Sequence, residues 1–520
     1  MNSIKTGWND KVITDLNNRR ESVYAGGGKA KIDKQHLAGK LTARERLNIL
    51  FDEGTFTEVD ALIESRIIDF GMDSKRIPGD GVVTGYGKIN GRLTFASSED
   101  FTVIGGTLGE YHSLKICRIM DMAMDMRAPF VSINDSGGAR IEEGICSLSG
   151  YSGIFLRNTI ASGIIPQIAV ILGPCAGGAC YSPAICDYVF MTESTSQMFI
   201  TGPHVVKAVT SEIVTTSELG GAEVHTKNSG VAHFCYNNDV ECLNGVKQLL
   251  SYLPQNNDEN SLVIKGFSID NSKKIQDIVP DNQKKGYDVR SVIYTFIDEN
   301  SLFEIQERYA KNIVIGFARM DGDVIGIVAN QPNHLGGALD INASDKAARF
   351  VRFCDCFNIP ILSLVDVTGF LPGKEQEHRG IIRHGAKLLF AYSEATVPKI
   401  SLIMRKAYGG AYIAMNSKNM GADMVFAWPI AQIAVMGSEG AVDIIFKQKI
   451  AEATNKAEHR EELIKQYEEK FMTPYIAAAR GYVDEVIKPE ETRAKIKCAL
   501  DMLKNKKKSL PYKKHGNIPL

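Results

Sequence analysis

The sequence predicts an α/β protein in which one domain occurs twice, once in each half of the chain. Three observations lead to this prediction. The two halves of the 520-residue chain resemble each other, apolar runs alternate with helical segments in both halves, and a Gly-Gly step follows the same apolar run in each. Apolar runs joined by crossover helices are typical of a parallel sheet. A repeat that fills half of the chain excludes a solenoid, whose units span roughly 20–50 residues.

The internal repeat keeps its spacing over a long distance. Four pairs of segments align, and the fourth departs by a single position from the offset that the first three share. An offset that changes by only one position over this distance is not expected by chance. We therefore infer a duplicated domain. The pairs are GYGKING (85–91) with GFARMDG (316–322), Gly105-Gly106 with Gly336-Gly337, the runs ending at Asp135 and Asp366, and Gly177-Gly178 with Gly409-Gly410.

The elements follow from local patterns taken in chain order. The segment 1–50 is predicted to be helical, and Thr42 and Glu45 are spaced as a capping box. Gly85 and Gly87 lack the third glycine of a dinucleotide fingerprint, and we interpret them as part of a hairpin whose partner strand is 88–91. Buried strands are predicted at 168–172, 188–191, 400–404 and 424–428, and a helix at 411–418.

The domain limits follow from a change in composition. A polar stretch from about 255 to 285 separates two apolar regions and indicates a boundary. We therefore expect an N-terminal domain over residues 1–258, a linker over 259–284 and a C-terminal domain over 285–520. The basic C-terminal sequence KNKKKSLPYKKHGNIPL is interpreted as a solvated tail.

Composition and charge exclude several classes of function. With 60 basic and 61 acidic side chains the net charge is −1, which lacks the basic excess of a nucleic-acid-binding protein. No segment reaches the ~20 apolar residues of a membrane span, and residues 1–11 do not resemble a signal peptide. None of the ten cysteines forms a Cys-x-x-Cys pair, so a structural zinc is not expected. Reduced thiols without an export signal predict a cytoplasmic protein.

The two Gly-Gly steps are the strongest chemical signal. Each is predicted where a strand passes into a helix, and the first N–H groups of a helix have no partner within it. Without a Cβ, a ligand oxygen can approach this backbone closely, so two N–H groups can stabilise an oxyanion. Close packing of helix on strand would also explain one such step. Two steps at matching places favour two oxyanion sites, one in each copy.

Other motifs carry less information. The segment from Asp135 to Arg140 ends a predicted strand, where α/β proteins collect ligand sites, although a turn capped by Asp explains it equally well. No Walker A, His-Glu-x-x-His or Gly-x-Ser-x-Gly sequence is present, so a P-loop, a zincin and a serine hydrolase are not indicated. The histidines, including His112 and His384, lack ligand spacing and are interpreted as packing or surface residues.

Several segments together resemble one family, the carboxyltransferase β subunits of biotin-dependent acyl-CoA carboxylases. That family includes propionyl-CoA and acetyl-CoA carboxylases and the α subunits of methylmalonyl-CoA decarboxylases. A more distant branch carries zinc, and the missing cysteine pairs argue against it. The segments are NDSGGARIEEG (134–144), GPCAGGACYSPA (173–184) and RKAYGGAYIAMNS (405–417), with GKLTARERL (39–47), MFITGP (198–203), LDINASDKAARF (339–350) and the terminal KKHGNIPL in support.

The resemblance implies two tandem crotonase-like domains of the ClpP/crotonase superfamily. It also implies a homo-hexamer whose active sites lie at dimer interfaces. The substrate would be an acyl-CoA, and biotin would arrive as carboxybiotin on a separate carrier protein. A biotin carboxylase subunit would be a further partner, and this subunit would hold no metal.

The family's pattern also assigns roles to single residues. Backbone N–H groups of Gly177 and Gly178 would hold the thioester oxygen, and those of Gly410 and Ala411 the biotin ureido oxygen. Carboxybiotin would release CO₂, the biotin nitrogen would take the α-proton, and the thioester enolate would attack CO₂, so no side-chain base is needed. The positions implied for substrate binding are Ala176, Tyr412 and Ile413.

Ile413 bears on the choice of acyl chain. Propionyl-CoA carboxylases that resemble this chain usually carry Asp there, whereas several acetyl-CoA-accepting relatives carry Ile. Because one methylene in an apolar pocket contributes only about 1–3 kcal/mol, we expect transfer to both acetyl- and propionyl-CoA. Two alternatives stay open. One is the same fold in a (methyl)malonyl-CoA decarboxylase complex that runs the transfer in reverse with membrane partners, and the other is a non-catalytic scaffold subunit.

Overall fold

A computed structural model describes residues 10–266 and 270–520 of the chain. The chain separates into two compact units, the first ending at Asn257 and the second beginning at Asp258. Each unit contains one eight-stranded sheet, and the two sheets have the same strand order. Residues 1–9, which the helical prediction includes, lie outside the described residues.

The N-terminal unit begins with helices and continues with strands that alternate with helices. Its helices are α1 (Asp10–Ala25), α2 (Lys29–Leu37), α3 (Ala43–Leu50), α4 (Glu110–Asp125), α5 (Ile145–Ala161), α6 (Tyr181–Ile185), α7 (Pro203–Thr210), α8 (Thr216–Gly220), α9 (Ala222–Lys227) and α10 (Asp239–Tyr252). Its strands are β1 (Thr57–Val59), β2 (Val82–Ile89), β3 (Arg92–Glu99), β4 (Phe130–Ser136), β5 (Gln167–Ala176), β6 (Tyr188–Thr192), β7 (Gln197–Phe199) and β8 (Phe234–Tyr236).

The C-terminal unit repeats this arrangement. Its helices are α11 (Ile275–Ile278), α12 (Val289–Ile293), α13 (Ile341–Cys356), α14 (Lys374–His378), α15 (Ile381–Glu394), α16 (Gly409–Ala414), α17 (Ser438–Ile445), α18 (Lys447–Glu452), α19 (Lys456–Tyr467), α20 (Pro474–Ala478) and α21 (Thr492–Leu503). Its strands are β9 (Phe303–Ile305), β10 (Ile313–Met320), β11 (Asp323–Asn330), β12 (Ile361–Val367), β13 (Lys399–Tyr408), β14 (Met424–Ala427), β15 (Gln432–Ala434) and β16 (Glu485–Val486).

Strand pairing confirms the duplication. The N-terminal sheet runs β1-β2-β3-β4-β5-β6-β8 with β7 beside β5, and the C-terminal sheet runs β9-β10-β11-β12-β13-β14-β16 with β15 beside β13. In both sheets the first two pairings are antiparallel and the others are parallel. Strands β10, β11 and β12 follow β2, β3 and β4 at one constant spacing along the chain, and β13 follows β5 at a spacing longer by a single position.

The central parallel strands carry the core of each unit. Every residue of β4, β12 and β13 is buried, as expected for central parallel strands that are covered on both faces. Each fully buried large aliphatic or aromatic side chain contributes roughly 1.5–3 kcal/mol. In the C-terminal unit this core includes Trp428, whose indole Nε1 donates to Thr492 at 3.1 Å.

The local predictions have mixed outcomes. The capping box is confirmed, since the Thr42 hydroxyl accepts from the Glu45 N–H and the Glu45 carboxylate accepts from the Thr42 N–H.

The predicted hairpin partner is wrong, because β2 pairs with β3 and the chain reverses at Asn90 and Gly91. The predicted helix over 411–418 is also wrong in extent. Helix α16 ends at Ala414, and Asn416 has a φ of 66°.

The basic tail is exposed over most of its length, as predicted, but it is anchored at two points. The Lys506 ammonium, half-buried, donates to Asp423 at 2.7 Å and to the Val397 carbonyl at 2.9 Å. Further along, Lys513 forms an ion pair with Glu394. These contacts hold the tail against the C-terminal unit.

Candidate active site

Each predicted Gly-Gly step lies directly after the longest strand of its sheet. Strand β5 ends at Ala176 and a 3₁₀ turn follows over Gly177–Cys180, while β13 ends at Tyr408 and α16 starts at Gly409. The first glycine of each step has a positive φ, 64° at Gly177 and 61° at Gly409. Residues with a Cβ rarely adopt this conformation, so glycine is required there. The two turns therefore share one backbone geometry.

An aromatic ring packs against the second glycine of each turn. A Cβ placed on Gly178 would lie 3.2 Å from Cδ2 of Tyr151, and one placed on Gly410 would lie 3.7 Å from the Phe370 ring. These rings support the turns from within each unit. Gly410 itself is exposed, whereas Ala411 beside it is buried.

The turns can act chemically through their backbone. The N–H groups at the start of a helix lack partners inside the helix and carry partial positive charge. An oxygen that gains negative charge at this place is stabilised by each donor by about 3–4 kcal/mol in a transition state. The Cβ position of Gly177 is open, since the nearest atom to such a Cβ is the Ile200 carbonyl oxygen at 3.9 Å, whereas a Cβ on Gly409 would lie 3.0 Å from the Val435 carbonyl oxygen.

A buried carboxylate lies beneath the N-terminal turn. Asp135, at the end of β4, accepts from Lys40 Nζ at 2.8 Å and from Arg46 Nη1 at 2.9 Å. Arg46, on α3, also donates to Asp239 at 2.8 Å. A Cβ on Gly173 would overlap the Asp135 carboxylate, so glycine makes room for this cluster in β5.

The C-terminal unit neutralises the equivalent carboxylate differently. Asp366 accepts from Nε of Arg405 at 2.9 Å, and both side chains are fully buried. The repeat places Arg405 where the N-terminal unit has Gly173. Arg405 also donates to the carbonyl oxygens of Pro280, Asn282 and Lys285 at 3.0–3.3 Å.

The predicted ligand loop after β4 has a structural function in the N-terminal unit. Arg140 is buried and pairs with Asp80 and Glu143, both at 2.7 Å. Asp135 is held by its two cations. Asp135 and Arg140, the charged residues at the two ends of this loop, therefore both form buried ion pairs.

The predicted substrate-binding residues divide between the two units. Ala176 is half-buried at the end of β5, next to Gly177. Tyr412 and Ile413 lie on α16, next to Gly410 and Ala411. Burial raises the pKa of Tyr412, and Ile413 keeps 45% of its surface exposed. A side chain this exposed at a turn is free to contact a ligand.

One residue that sequence reasoning missed is Glu99, the last residue of β3. It is buried, and its carboxyl accepts from the Asp135 N–H at 2.9 Å. Burial raises the pKa of Glu99 to about 8. In the C-terminal unit Asn330 takes the same place and accepts from the Asp366 N–H at 3.2 Å. The offset of the internal repeat pairs Glu99 with Asn330 and could have revealed this position.

The described residues contain neither a metal-binding cluster nor a membrane-spanning helix. Among residues 10–266 and 270–520, no three His, Cys, Asp or Glu side chains are grouped so that they could hold a metal ion. Within the same ranges, no helix is both long and apolar enough to cross a membrane. His112 is buried, as the packing interpretation predicts, and burial holds its pKa well below the usual value.

Comparisons with known proteins identify the family to which the chain belongs. The carboxyl transferase domain family matches residues 34–518. The carboxyltransferase subunit of propionyl-CoA carboxylase from Haloferax mediterranei is 55% identical over 510 residues, which cover 98% of this chain and 99% of that protein. Methylmalonyl-CoA decarboxylase subunit alpha from Propionigenium modestum is 53% identical over 515 residues, 98% of this chain and 99% of that protein.

A solved structure extends the comparison to the fold. Transcarboxylase 12S, described as a hexamer assembly with methylmalonyl-coenzyme A and methylmalonic acid bound, has a TM-score of 0.96 at 52% identity and covers 100% of both chains. This match confirms the predicted fold class, an α/β protein of two tandem crotonase-like domains. Both the family match and the relatives extend over nearly the whole chain. The chain therefore belongs to the carboxyl transferase family and is a carboxyltransferase enzyme.

Proposed function

We propose that this chain is the carboxyltransferase subunit of a biotin-dependent short-chain acyl-CoA carboxylase. It would move the carboxyl group from carboxybiotin on a carrier protein to the α-carbon of acetyl- or propionyl-CoA. The observation that carries this proposal is the pair of equivalent glycine turns, each at the carboxyl end of a central strand, in a chain that is 55% identical to a propionyl-CoA carboxylase subunit.

The N-terminal unit supplies the acyl-CoA side of the reaction in this proposal. The N–H groups of Gly177 and Gly178 bind the thioester oxygen, and they bind it most strongly when the enolate forms. The free Cβ position at Gly177 allows that oxygen to approach the backbone. Ala176 lies against the same substrate because it immediately precedes the turn.

The C-terminal unit supplies the biotin side. The N–H groups of Gly410 and Ala411 bind the ureido oxygen of biotin, whose chemistry is to carry an activated carboxyl group. The exposure of Gly410 suits a ligand delivered by another protein. Tyr412 and Ile413 on the same helix contact the acyl group of a substrate. The apolar, uncharged side chain of Ile413 allows both acetyl and propionyl groups.

The proposal extends to organisation and partners. We assign the acyl-CoA function to residues 1–258 and the biotin function to 285–520, with 259–284 joining them. We further propose a homo-hexamer, since the transcarboxylase 12S structure is described as a hexamer assembly. A biotin carboxyl carrier protein and a biotin carboxylase subunit would be its partners, and the complex would act in the cytoplasm.

One alternative has a specific observation in its favour. Methylmalonyl-CoA decarboxylase subunit alpha from Propionigenium modestum is 53% identical, almost as similar as the carboxylase subunit. If this chain belongs to such a decarboxylase complex, the same two turns would serve the reverse transfer, from a (methyl)malonyl-CoA to biotin. A non-catalytic scaffold is disfavoured because relatives named as a carboxyltransferase subunit and a decarboxylase subunit are 55% and 53% identical over 98% of this chain.

Copurification and a transfer assay test the proposal together. The full chain should copurify with a biotin carboxylase subunit and carboxylate acetyl- and propionyl-CoA when a biotinylated carrier, bicarbonate and ATP are present. Copurification with a multi-span membrane subunit, with net release of CO₂ from methylmalonyl-CoA, would favour the decarboxylase. Absence of transfer in either direction with carrier and partners present would contradict both.

A further inference from the structure

A small cavity lies beneath the Gly177–Gly178 turn, inside the N-terminal unit. Its volume is about 20 Å³, and one water molecule requires roughly 10–15 Å³ on this measure. Both polar and apolar groups line it, which suits a bound water rather than a dry void. The lining residues that matter here are Glu99, Asn134, Tyr151, Ala179 and Ser182.

Tyr151 connects this cavity to the turn. Its ring packs on Gly178, within 3.2 Å of where a Cβ would be. Its hydroxyl is buried and has no hydrogen-bond partner within the described part of the protein. The hydroxyl of Ser136, which lies close by, donates to the Gly106 carbonyl at 2.7 Å and accepts from the Gly138 N–H at 3.1 Å. A buried hydroxyl without a partner costs about 1–3 kcal/mol, so a water in the adjoining cavity resolves this cost.

Glu99 faces the same cavity from the end of β3. One carboxyl oxygen accepts from the Asp135 N–H, and the other lies 3.8 Å from Nε2 of His112. Burial raises the pKa of Glu99 to about 8. The ionisable groups that face it come from several elements. They are Arg46 on α3, His112 on α4, Asp135 on β4, Tyr151 on α5 and Cys175 on β5.

The repeat supplies an internal reference for the charge of Glu99. Its counterpart Asn330 is neutral at every pH, accepts from the equivalent Asp366 N–H, and donates to the Gly337 carbonyl at 3.1 Å. The C-terminal copy thus places a neutral group that both accepts and donates at this point. A protonated carboxyl does both, whereas a carboxylate only accepts.

We propose that Glu99 is a positioning residue that keeps a proton beneath the Gly177–Gly178 turn and, through one water molecule and Tyr151, holds the turn in its oxyanion-binding geometry. Neutrality is essential to this role, because a carboxylate at that place would repel the negative charge that develops on the thioester oxygen. The inference rests on the proposed function, which places that oxyanion at Gly177 and Gly178.

The test compares pH profiles of wild type, Glu99→Gln and Tyr151→Phe in the holoenzyme. We expect the wild-type kcat for propionyl-CoA to fall by up to about tenfold between pH 7 and pH 9, with KM nearly constant, as Glu99 ionises. Glu99→Gln should lose this fall, since an amide cannot ionise. Tyr151→Phe keeps the ring but lacks the hydroxyl, so its kcat should be lower at every pH. An unchanged alkaline fall in Glu99→Gln overturns the proposal.

Infrared spectroscopy gives a readout that does not depend on transfer activity. Difference spectra of the wild type between pH 7 and pH 9 should show the C=O band of a protonated carboxyl disappearing, and Glu99→Gln should lack this band. If Glu99→Gln does not fold, Tyr151→Phe should shift the frequency of the band, because the water loses a partner. No titrating acid band in the wild type overturns the role of Glu99 even where transfer proceeds. An inactive wild type that shows the band contradicts only the proposed function.

Discussion

Arg405 donates through Nε to Asp366 at 2.9 Å, and neither side chain is exposed to solvent. The same guanidinium binds three carbonyl groups of the segment 280–285. Arg405 thus joins that segment to β13 shortly before the turn at Gly409. In the N-terminal unit the equivalent carboxylate, Asp135, is neutralised instead by Lys40 and by Arg46 of helix α3.

Replacing Arg405 by Met should destabilise the C-terminal unit by about 3–5 kcal/mol, because the Asp366 charge would stay buried with its main partner removed. Urea denaturation followed by fluorescence of Trp428, in a Trp8→Phe background that removes the second tryptophan, measures this loss within the C-terminal unit. Arg460→Met is the matched control, since Arg460 forms an exposed pair with Asp443 and should leave the transition unchanged. Equal transitions for Arg405→Met and wild type would contradict the structural role of the buried pair.

Gly173→Ala should destabilise the N-terminal unit by about 3 kcal/mol or prevent its folding, since the added methyl overlaps the Asp135 carboxylate. Gly202→Ala is the control in the same unit. Its Cβ would lie at an ordinary 3.5 Å from Phe199 and its φ is −69°. Limited proteolysis and denaturation midpoints compare the two. If Gly173→Ala unfolds at the wild-type midpoint, the side chains around Asp135 can move to accommodate the methyl group, and the prediction is wrong.

Ile413→Asp should increase the preference of the enzyme for propionyl-CoA over acetyl-CoA. A charged group in the pocket changes the transition-state free energies of the acyl groups unequally, by about 1–3 kcal/mol, so the ratio of kcat/KM for propionyl- over acetyl-CoA should rise on the order of tenfold. Ile382→Asp, at a residue 79% exposed in the same unit, controls for the added charge. Unchanged ratios for acetyl-, propionyl- and butyryl-CoA would remove Ile413 from the substrate pocket.

Glu99 should make the stability of the N-terminal unit depend on pH. Its pKa in the folded state, about 8, lies above the ordinary value of 4.5, so the folded state keeps a proton that the unfolded state releases. The contribution is complete below pH 4.5 and is lost as the pH rises to about 8, by at most about 1.4 kcal/mol per pH unit. Denaturation at pH 5, 6.5 and 8 should show a smaller loss in Glu99→Gln. The exposed Glu110→Gln should follow the wild type, and a wild-type slope in Glu99→Gln would contradict the buried proton.

Much of the fold could be predicted because its signals are local or repeated. Continuous apolar runs marked the buried strands β5 and β13, and the nearly constant offset of the repeat matched whole strands with one another. The Gly-Gly steps were recognisable because only glycine readily adopts the positive φ of their first residue. The hairpin was misplaced because Gly85 and Gly87 suggested a turn, yet both lie within β2, where a Cβ on either would crowd its neighbours.

The buried charge clusters could not be predicted because their members are far apart in the chain. Arg46 on α3 reaches both Asp135 at the end of β4 and Asp239 at the start of α10, and no short motif encodes such contacts. The repeat offset could have pointed to the position of Glu99, but its burial and its cavity depend on Tyr151 from another element and could not be predicted. The spacing of residues in the sequence predicts the backbone geometry of a turn. The surroundings of a buried side chain depend on residues that are far apart in the sequence and meet only in the folded protein.

The most direct test of the central claim compares Gly178→Pro with Gly178→Ala in carboxyl transfer from a labelled carboxybiotin carrier to propionyl-CoA. Gly178→Pro removes a backbone N–H, whereas Gly178→Ala keeps it and adds only a methyl group beside Tyr151. We expect Gly178→Pro to lose at least about 100–1,000-fold in kcat and Gly178→Ala to lose far less. Wild-type turnover in a folded Gly178→Pro variant would contradict the account.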